Sequence, residues 1–173
     1  HGTARFGDEG VLAVDTGSGE PRTVDPDYVV IATGSTVNVP DLPGIDAVDY
    51  MTSADVLDAT ALPDSGVVMG FGYIGMELVP YLAEAGGMDL TVVEHDARPL
   101  DEADPAFGDA ALSLYREQFG VDVPTNVSEQ RVEPTDDGGV RLFLEDGDTG
   151  EPSVVEADQL FLFTGRRDRK SVV

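Results

Sequence analysis

The sequence predicts an α/β fold wound around a parallel sheet, with an antiparallel β meander attached to it and a small β piece ahead of it. Three observations carry this expectation. Residues 65–94 read as strand, glycine turn, helix and second strand ending in an acid. Two other continuous apolar runs, 28–32 and 159–163, have the composition of strands that a parallel sheet buries on both faces. Each of those runs follows a set of short strand-like segments and ends in Thr-Gly, so the order meander, apolar strand, Thr-Gly occurs at 3–34 and again at about 127–165.

In chain order, residues 3–6 and 11–14 flank the turn Gly7-Asp8-Glu9-Gly10, and 22–24 follows the loop 15–21 as a third short strand. The run YVVIATGS, 28–35, comes next, and its backbone must turn sharply at Thr33-Gly34. Residues 37–46, VNVPDLPGID, place two prolines and a glycine between apolar residues, which is linker composition. The expected division is therefore 1–36, a linker at 37–48, and a second domain over 49–173. Thr52 or Ser53 caps a short helix that runs through Leu57.

The centre of the second domain is GFGYIG, residues 70–75. Gly70 allows the tight turn off the strand, Gly72 lets a pyrophosphate approach the backbone, and Gly75 lets helix and sheet pack closely, a Rossmann-like arrangement that binds a dinucleotide. The helix starts at Tyr73 and Ile74, with Ile74, Leu78, Leu82 and Ala85 on one face. Its first amides and positive dipole end face the phosphates, worth about 0.3–1 kcal/mol per favourable charge. Glu94, 24 residues after Gly70, stands at the ribose-reading position. A 2′-phosphate there would face a carboxylate, a like-charge pair costing roughly 4 kcal/mol at 4 Å and an effective dielectric near 20, so NADH is expected in preference to NADPH. His95 either touches adenine or ribose or is a solvated strand end. Pro80 removes the hydrogen bond to the Met76 carbonyl, so a kink or a local compensation is expected there.

After a loop over 95–102, Asp104 as N-cap and Pro105 at the first helical position open a second helix, with Phe107, Ala110, Ala111 and Leu114 inward and Gly120 closing it. Residues 121–123 form a brief strand. Residues 126–133, 140–144 and 153–157 form a second meander, and 159–163 leads to Thr164-Gly165-Arg166.

Composition narrows the function. With 34 acids against 10 bases the net charge is −24, and Lys170 is the only lysine. Such a field repels nucleic acid and anionic membranes, and the basic end at Arg166, Arg167, Arg169 and Lys170 has no aromatic platform beside it. The acids are interspersed among apolar segments, the pattern of a globular surface adapted to high salt, where counterions screen self-repulsion. There is no apolar run of membrane-spanning length and no signal-peptide pattern, so a cytoplasmic location is expected. The absence of cysteine removes disulfides, thiolate metal sites and a cysteine nucleophile from these residues. Only His1 and His95 occur, which leaves no histidine cluster for a metal, and neither Ser18 nor Ser35 stands in a nucleophile elbow. The start at His1 reads as that of an excised piece.

Taken together, YVVIATGS, LPGID, GFGYIGMEL, VVEHDARPL and LFLFTGRR, in this order, resemble the flavin-dependent pyridine nucleotide-disulfide oxidoreductases of the dihydrolipoamide dehydrogenase and mercuric reductase type. The resemblance spans Gly2 to Arg167. It implies that residues 1–36 are the end of a FAD-domain segment and that the remainder is the NAD-binding domain. It implies Gly70, Gly72 and Gly75 at the pyrophosphate, Glu94 at the ribose, Thr33, Gly34 and Gly165 near the domain junction, and Tyr73 as a gate over the flavin. Glu77 matches a glutamate that pairs with a flavin-side lysine, which is missing here. Also missing are the first FAD-binding glycine motif, the redox cysteine pair, the later FAD segment and the interface domain with its catalytic histidine. The usual Pro-Asn after Gly-Arg is replaced by Arg167-Asp168. The parent enzyme is thereby expected to pass a hydride from NADH to FAD and on to a disulfide, with this piece capturing and orienting NADH and carrying no catalytic residue. The orphaned strand 28–32 would be an apolar edge, so a homo-oligomer formed through it is expected, alongside contacts to the remainder of the flavoenzyme.

Overall fold

The computed structural model describes residues 2–7 and 10–169. Asp8 and Glu9 of the first expected turn, and Lys170 of the basic end, lie outside the described residues. The chain divides into two compact units, 1–34 with 168–173, and 35–167.

In the smaller unit, β1 (Thr3–Phe6), β2 (Leu12–Asp15) and β3 (Arg22–Val24) form the expected antiparallel meander in the order β1-β2-β3. None of its described residues is buried. The expected strand at 28–32 does not form: residues 28–34 make no ladder, and Tyr28 and Val30 are 91% and 86% exposed. Apolar composition marks a chain that a sheet can bury, but only neighbouring backbones make it a strand. The next strand is β4 (Ser35–Val37), paired with β12 (Arg166–Asp168).

The larger unit is built on four parallel strands in the order β5-β11-β6-β7, namely β5 (Tyr50–Thr52), β11 (Gln159–Leu162), β6 (Ser65–Met69) and β7 (Asp89–Val93). Both faces are covered, which is why these strands are apolar without alternation. One face carries Val68, Val92 and Phe161 against α1 (Ser53–Asp58), α2 (Tyr73–Pro80) and α3 (Pro105–Gln118). The other carries Val67, Val93 and Leu160 against the second meander, β8 (Val127–Pro134), β9 (Val140–Asp146) and β10 (Pro152–Ala157). The residues expected as a linker are packed here, with Leu42, Ile45 and Val48 in the core under the meander. At the far end of the sheet, the Asp158 carboxylate accepts from the Ser65 amide and hydroxyl at 2.9 and 2.7 Å, tying the β10–β11 turn to the start of β6.

Three local expectations need correction. Residues 121–123 do not form a full strand. They run extended along the outer edge of β7 through a single bridge, with the Val92 amide donating to Asp122 and the Asp122 amide to Leu90. In α3 the inward residues are Gly108, Ala111, Leu112 and Tyr115, whereas Phe107 is exposed. A Cβ at Gly108 would stand 2.9 Å from the Pro99 carbonyl oxygen, so close approach to the loop, not side-chain apolarity, sets which face turns in. In α2 the buried positions are Gly75 and Val79, and beyond its end Leu82 is buried and Ala85 exposed.

The exposure of Ala85 follows from Pro80. The helix changes at this residue into a π-helical turn, Tyr81–Ala85, which rotates the following side chains relative to an α-helix. The Met76 carbonyl, which Pro80 cannot serve, accepts a hydrogen bond from the Tyr115 hydroxyl of α3. The expected compensation is therefore a pitch change together with a cross-helix hydrogen bond. No helix among the described residues is long and apolar enough to cross a membrane.

Candidate functional site

The site grows from the turn after β6. Gly70 has a φ of 95°, and its amide donates to the Val93 carbonyl at 3.0 Å. A Cβ there would lie 2.8 Å from the Phe163 carbonyl oxygen, and one at Gly75 would lie 2.5 Å from the Gly70 carbonyl oxygen. Both glycines are thus required by close backbone approach. Gly72 is different: a Cβ there would meet nothing within 4 Å. It is the extended N-cap of α2, and its carbonyl accepts the first helical bond from Met76 at 2.9 Å. No side chain among the described residues caps the helix, so its first turn, from Tyr73 onward, carries the amides that an α-helix leaves without intrahelical partners.

Glu94 follows β7 and is 8% exposed. One carboxylate oxygen accepts from the Phe71 amide at 2.8 Å, the other from the Asp96 amide at 3.0 Å. Burial pushes its carboxyl above the ordinary range; the two amides pull the other way, and the charges of Asp96 and Glu129 add to the rise.

Turn, helix start and acid line one cleft of about 460 Å³ at the carboxyl ends of β6, β7 and β11. This is where ligands bind to open α/β sheets. Gly70, Gly72, Tyr73, Ile74, Glu94 and Gly165 are brought together in its wall. Tyr73 is 72% exposed at its mouth. Gly75 is buried beneath the turn, whereas Glu77 and His95 are exposed outside the lining. Every lining residue belongs to the larger unit, while Thr33 and Gly34 belong to the smaller one, where both are exposed.

Sequence reasoning missed two features of this wall. Asp96, Asp101 and Glu102 join Glu94 in lining the cleft and make it acidic. Among the described residues Arg166 is the one cationic lining residue; its guanidinium donates to the Ser35 hydroxyl at 2.7 Å and carbonyl at 3.0 Å. The Gly-Arg dipeptide after β11 was a visible signal for Arg166. Nothing in sequence spacing brings the 101–102 turn to the glycines.

This fold, with a cleft at the carboxyl ends of its parallel strands, is an α/β architecture of the flavoprotein disulfide reductase type. Residues 2–173 match the pyridine nucleotide-disulphide oxidoreductase family, and the chain belongs to it. It is 36% identical over 138 residues to a mercuric reductase of Bacillus cereus, covering 80% of this chain and 21% of that protein. It is 35% identical over 173 residues to a dihydrolipoyl dehydrogenase of Haloferax volcanii, covering 95% of this chain and 34% of that protein. Among solved structures, the Cu(II) complex of the HOCl-induced flavoprotein disulfide reductase RclA from Escherichia coli superposes with a TM-score of 0.83 at 25% identity, covering 98% of this chain and 36% of that one. The chain thus spans roughly a fifth to a third of the length of these relatives.

Proposed function

We propose that this chain is the NADH-capturing part of a FAD-dependent disulfide oxidoreductase of the mercuric reductase or dihydrolipoyl dehydrogenase type. The observation that carries the reading is the sharing of one cleft by the open Gly72 backbone, the uncapped start of α2 and the Glu94 carboxylate. The residues fit a diphosphate: among the described residues nothing lies within 4 Å of a Cβ at Gly72, and the helix that starts there has no side-chain cap. Glu94 keeps lone pairs beyond the two amide bonds for ribose hydroxyls. Bound NADH supplies a hydride to a flavin held by the remainder of the parent. The residues of this chain bind and orient it, with Gly70, Gly72, Tyr73, Ile74 and Gly75 at the diphosphate and Glu94 and His95 at the adenosine end. By the family resemblance, Glu77, Gly165, Thr33 and Gly34 are assigned to cofactor binding as well.

The net charge of −24 supports a high-salt working environment, with folding strengthened by KCl as counterions screen the acids. Titration of NADH and NADPH in molar KCl tests the reading. A preference for NADH of roughly a hundredfold or more is expected from the like-charge cost, and Glu94→Ala removes it. Equal affinities for the two dinucleotides in the unaltered chain would sink the assignment.

A second reading is favoured by the exposure of Tyr28, Val29, Val30 and Ile31, an apolar strip with no ladder. It is self-association of this chain through that strip. Light scattering in molar KCl is expected to give a multimer that Val30→Asp converts to monomer; a monomeric unaltered chain refutes it.

A further inference from the structure

The two amides that hold Glu94 belong to different segments. Phe71 lies between Gly70 and Gly72 in the turn that faces the diphosphate, and Asp96 opens the loop behind the ribose position. Glu94 is itself anchored on a third segment: its amide donates to the Pro124 carbonyl at 3.0 Å, its carbonyl accepts from Val127 at 3.4 Å, and Asn126 donates to the Asp96 carbonyl at 2.9 Å. Gly70 is held by its bond to the Val93 carbonyl, but nothing lies within 4 Å of a Cβ at Gly72, so the turn keeps backbone freedom on that side that must be lost when a diphosphate is held on its amides. Between the two glycines the Phe71 ring is fully buried, edge-on to Tyr115, and the Phe71 amide is held by the Glu94 carboxylate before any ligand arrives, through a bond that is buried and charge-assisted.

We propose, resting on the dinucleotide reading above, that Glu94 is a positioning residue for the diphosphate as well as an acceptor for the ribose. Its carboxylate clamps the Phe71 amide and so couples sugar recognition to the shape of the phosphate-facing turn. The clamp acts through preorganisation: ordering that the free protein has already undergone does not have to be supplied by binding. The charge rejects a 2′-phosphate and the reach of the side chain shapes the turn, so the two roles are separable by substitution. Glu94→Asp keeps the charge but is one methylene too short to span both amides. Glu94→Gln keeps the length but offers an NH₂ to one of them.

The experiment measures adenosine and ADP binding to the full chain in molar KCl and takes the ratio of their dissociation constants, the gain contributed by the diphosphate. In both variants this ratio is expected to fall about tenfold, the scale of one lost charge-assisted hydrogen bond, while Glu94→Asp retains its preference for NADH over NADPH. Both dinucleotides carry the same diphosphate, so a clamp effect cancels from that preference. A diphosphate gain within twofold of the unaltered chain in the two variants overturns the clamp and leaves the ribose role standing. No ADP binding by the unaltered chain overturns the dinucleotide reading and the clamp together. If either variant fails to fold by circular dichroism, hydrogen exchange in the unaltered, ligand-free chain decides. A protected Phe71 amide beside a rapidly exchanging Gly72 amide supports the clamp, and rapid exchange at Phe71 refutes it.

Discussion

Two stretches of this chain follow the same plan and reach opposite ends. Each has three antiparallel strands, then an apolar run, then Thr-Gly with the glycine at positive φ, 70° for Gly34 and 83° for Gly165. In the second stretch the apolar run is β11, with Leu160 and Phe161 fully buried between β5 and β6. In the first it is 28–32, exposed and unpaired. Composition is therefore shared, and cover is not. Strand formation in this protein follows from the second.

The largest effect that would break this comparison is on folding stability. Leu160→Ala removes a fully buried side chain from the centre of the parallel sheet and is expected to cost about 2–5 kcal/mol. Val30→Ala, at an exposed position, stays within about 0.5 kcal/mol. Urea unfolding in molar KCl, read by circular dichroism, gives both numbers. Similar losses would mean that residues 28–32 have a cover of their own.

What covers the second stretch is in part the helix layer, and Pro80 is its weak point. Tyr115→Phe leaves the Met76 carbonyl without the donor that replaces the proline, at an expected cost of about 1–3 kcal/mol. Pro80→Ala returns an amide to that carbonyl, so the same Tyr115→Phe change should cost distinctly less in the Pro80→Ala background. A double-mutant cycle with no coupling would show that the hydroxyl bond and the missing amide are unrelated.

These elements separate what can be read from a sequence from what cannot. The strand, turn, helix, strand unit over 65–94 was legible because its signals are local: glycine spacing, a buried-type run and an acid at the next strand end all lie within one supersecondary unit. Asp104 was legible as an N-cap for the same reason; its carboxylate accepts from the Ala106 amide at 2.9 Å. The inward face of α3 was not, because it depends on how closely Gly108 meets the 98–99 loop. The Tyr115 to Met76 bond, the packing of Leu42, Ile45 and Val48, and the acidic lining of the cleft are long-range in the same sense. Glu94 falls between the two cases. Its position could be read from spacing, but its bonds to Phe71 and Asp96 depend on where two turns come to rest.

The two stretches should agree where cover does not matter. A Cβ at Gly34 or at Gly165 would meet nothing within 4 Å, so alanine at either position has only its left-handed backbone conformation to oppose it. Both substitutions are expected to cost about 1–2 kcal/mol and to match each other. Unequal costs by thermal or urea unfolding would show that one of the two glycines is held by something besides its own dihedral.

The smallest effect concerns single carboxylates. The turns of the second meander hold Asp137 and Asp146, whose carboxyls are drawn below their ordinary value of 3.8 by hydrogen bonds from Thr135 and Thr149. Asp55 is lowered likewise by Thr52. The stability these groups contribute is present above their ordinary value and is lost as pH falls through the lowered one. Glu94 has the opposite sign. Burial raises its carboxyl above the ordinary 4.5, so between that value and the raised one the folded chain binds more protons than the unfolded chain. Over this window the stability of the unaltered chain should rise, relative to Glu94→Gln, as pH is lowered. Cofactor affinity should fall over the same window, because a protonated Glu94 accepts more weakly from Phe71 and from ribose, with Asp96, Asp101, Glu102 and Arg166 sharing the cleft. Stability and affinity moving in opposite directions above pH 4.5, a range in which the lowered aspartates remain ionised, distinguishes Glu94 from every hydrated acid on the surface. Parallel pH profiles for the unaltered chain and the glutamine variant would show that the carboxyl of Glu94 does not titrate in that window.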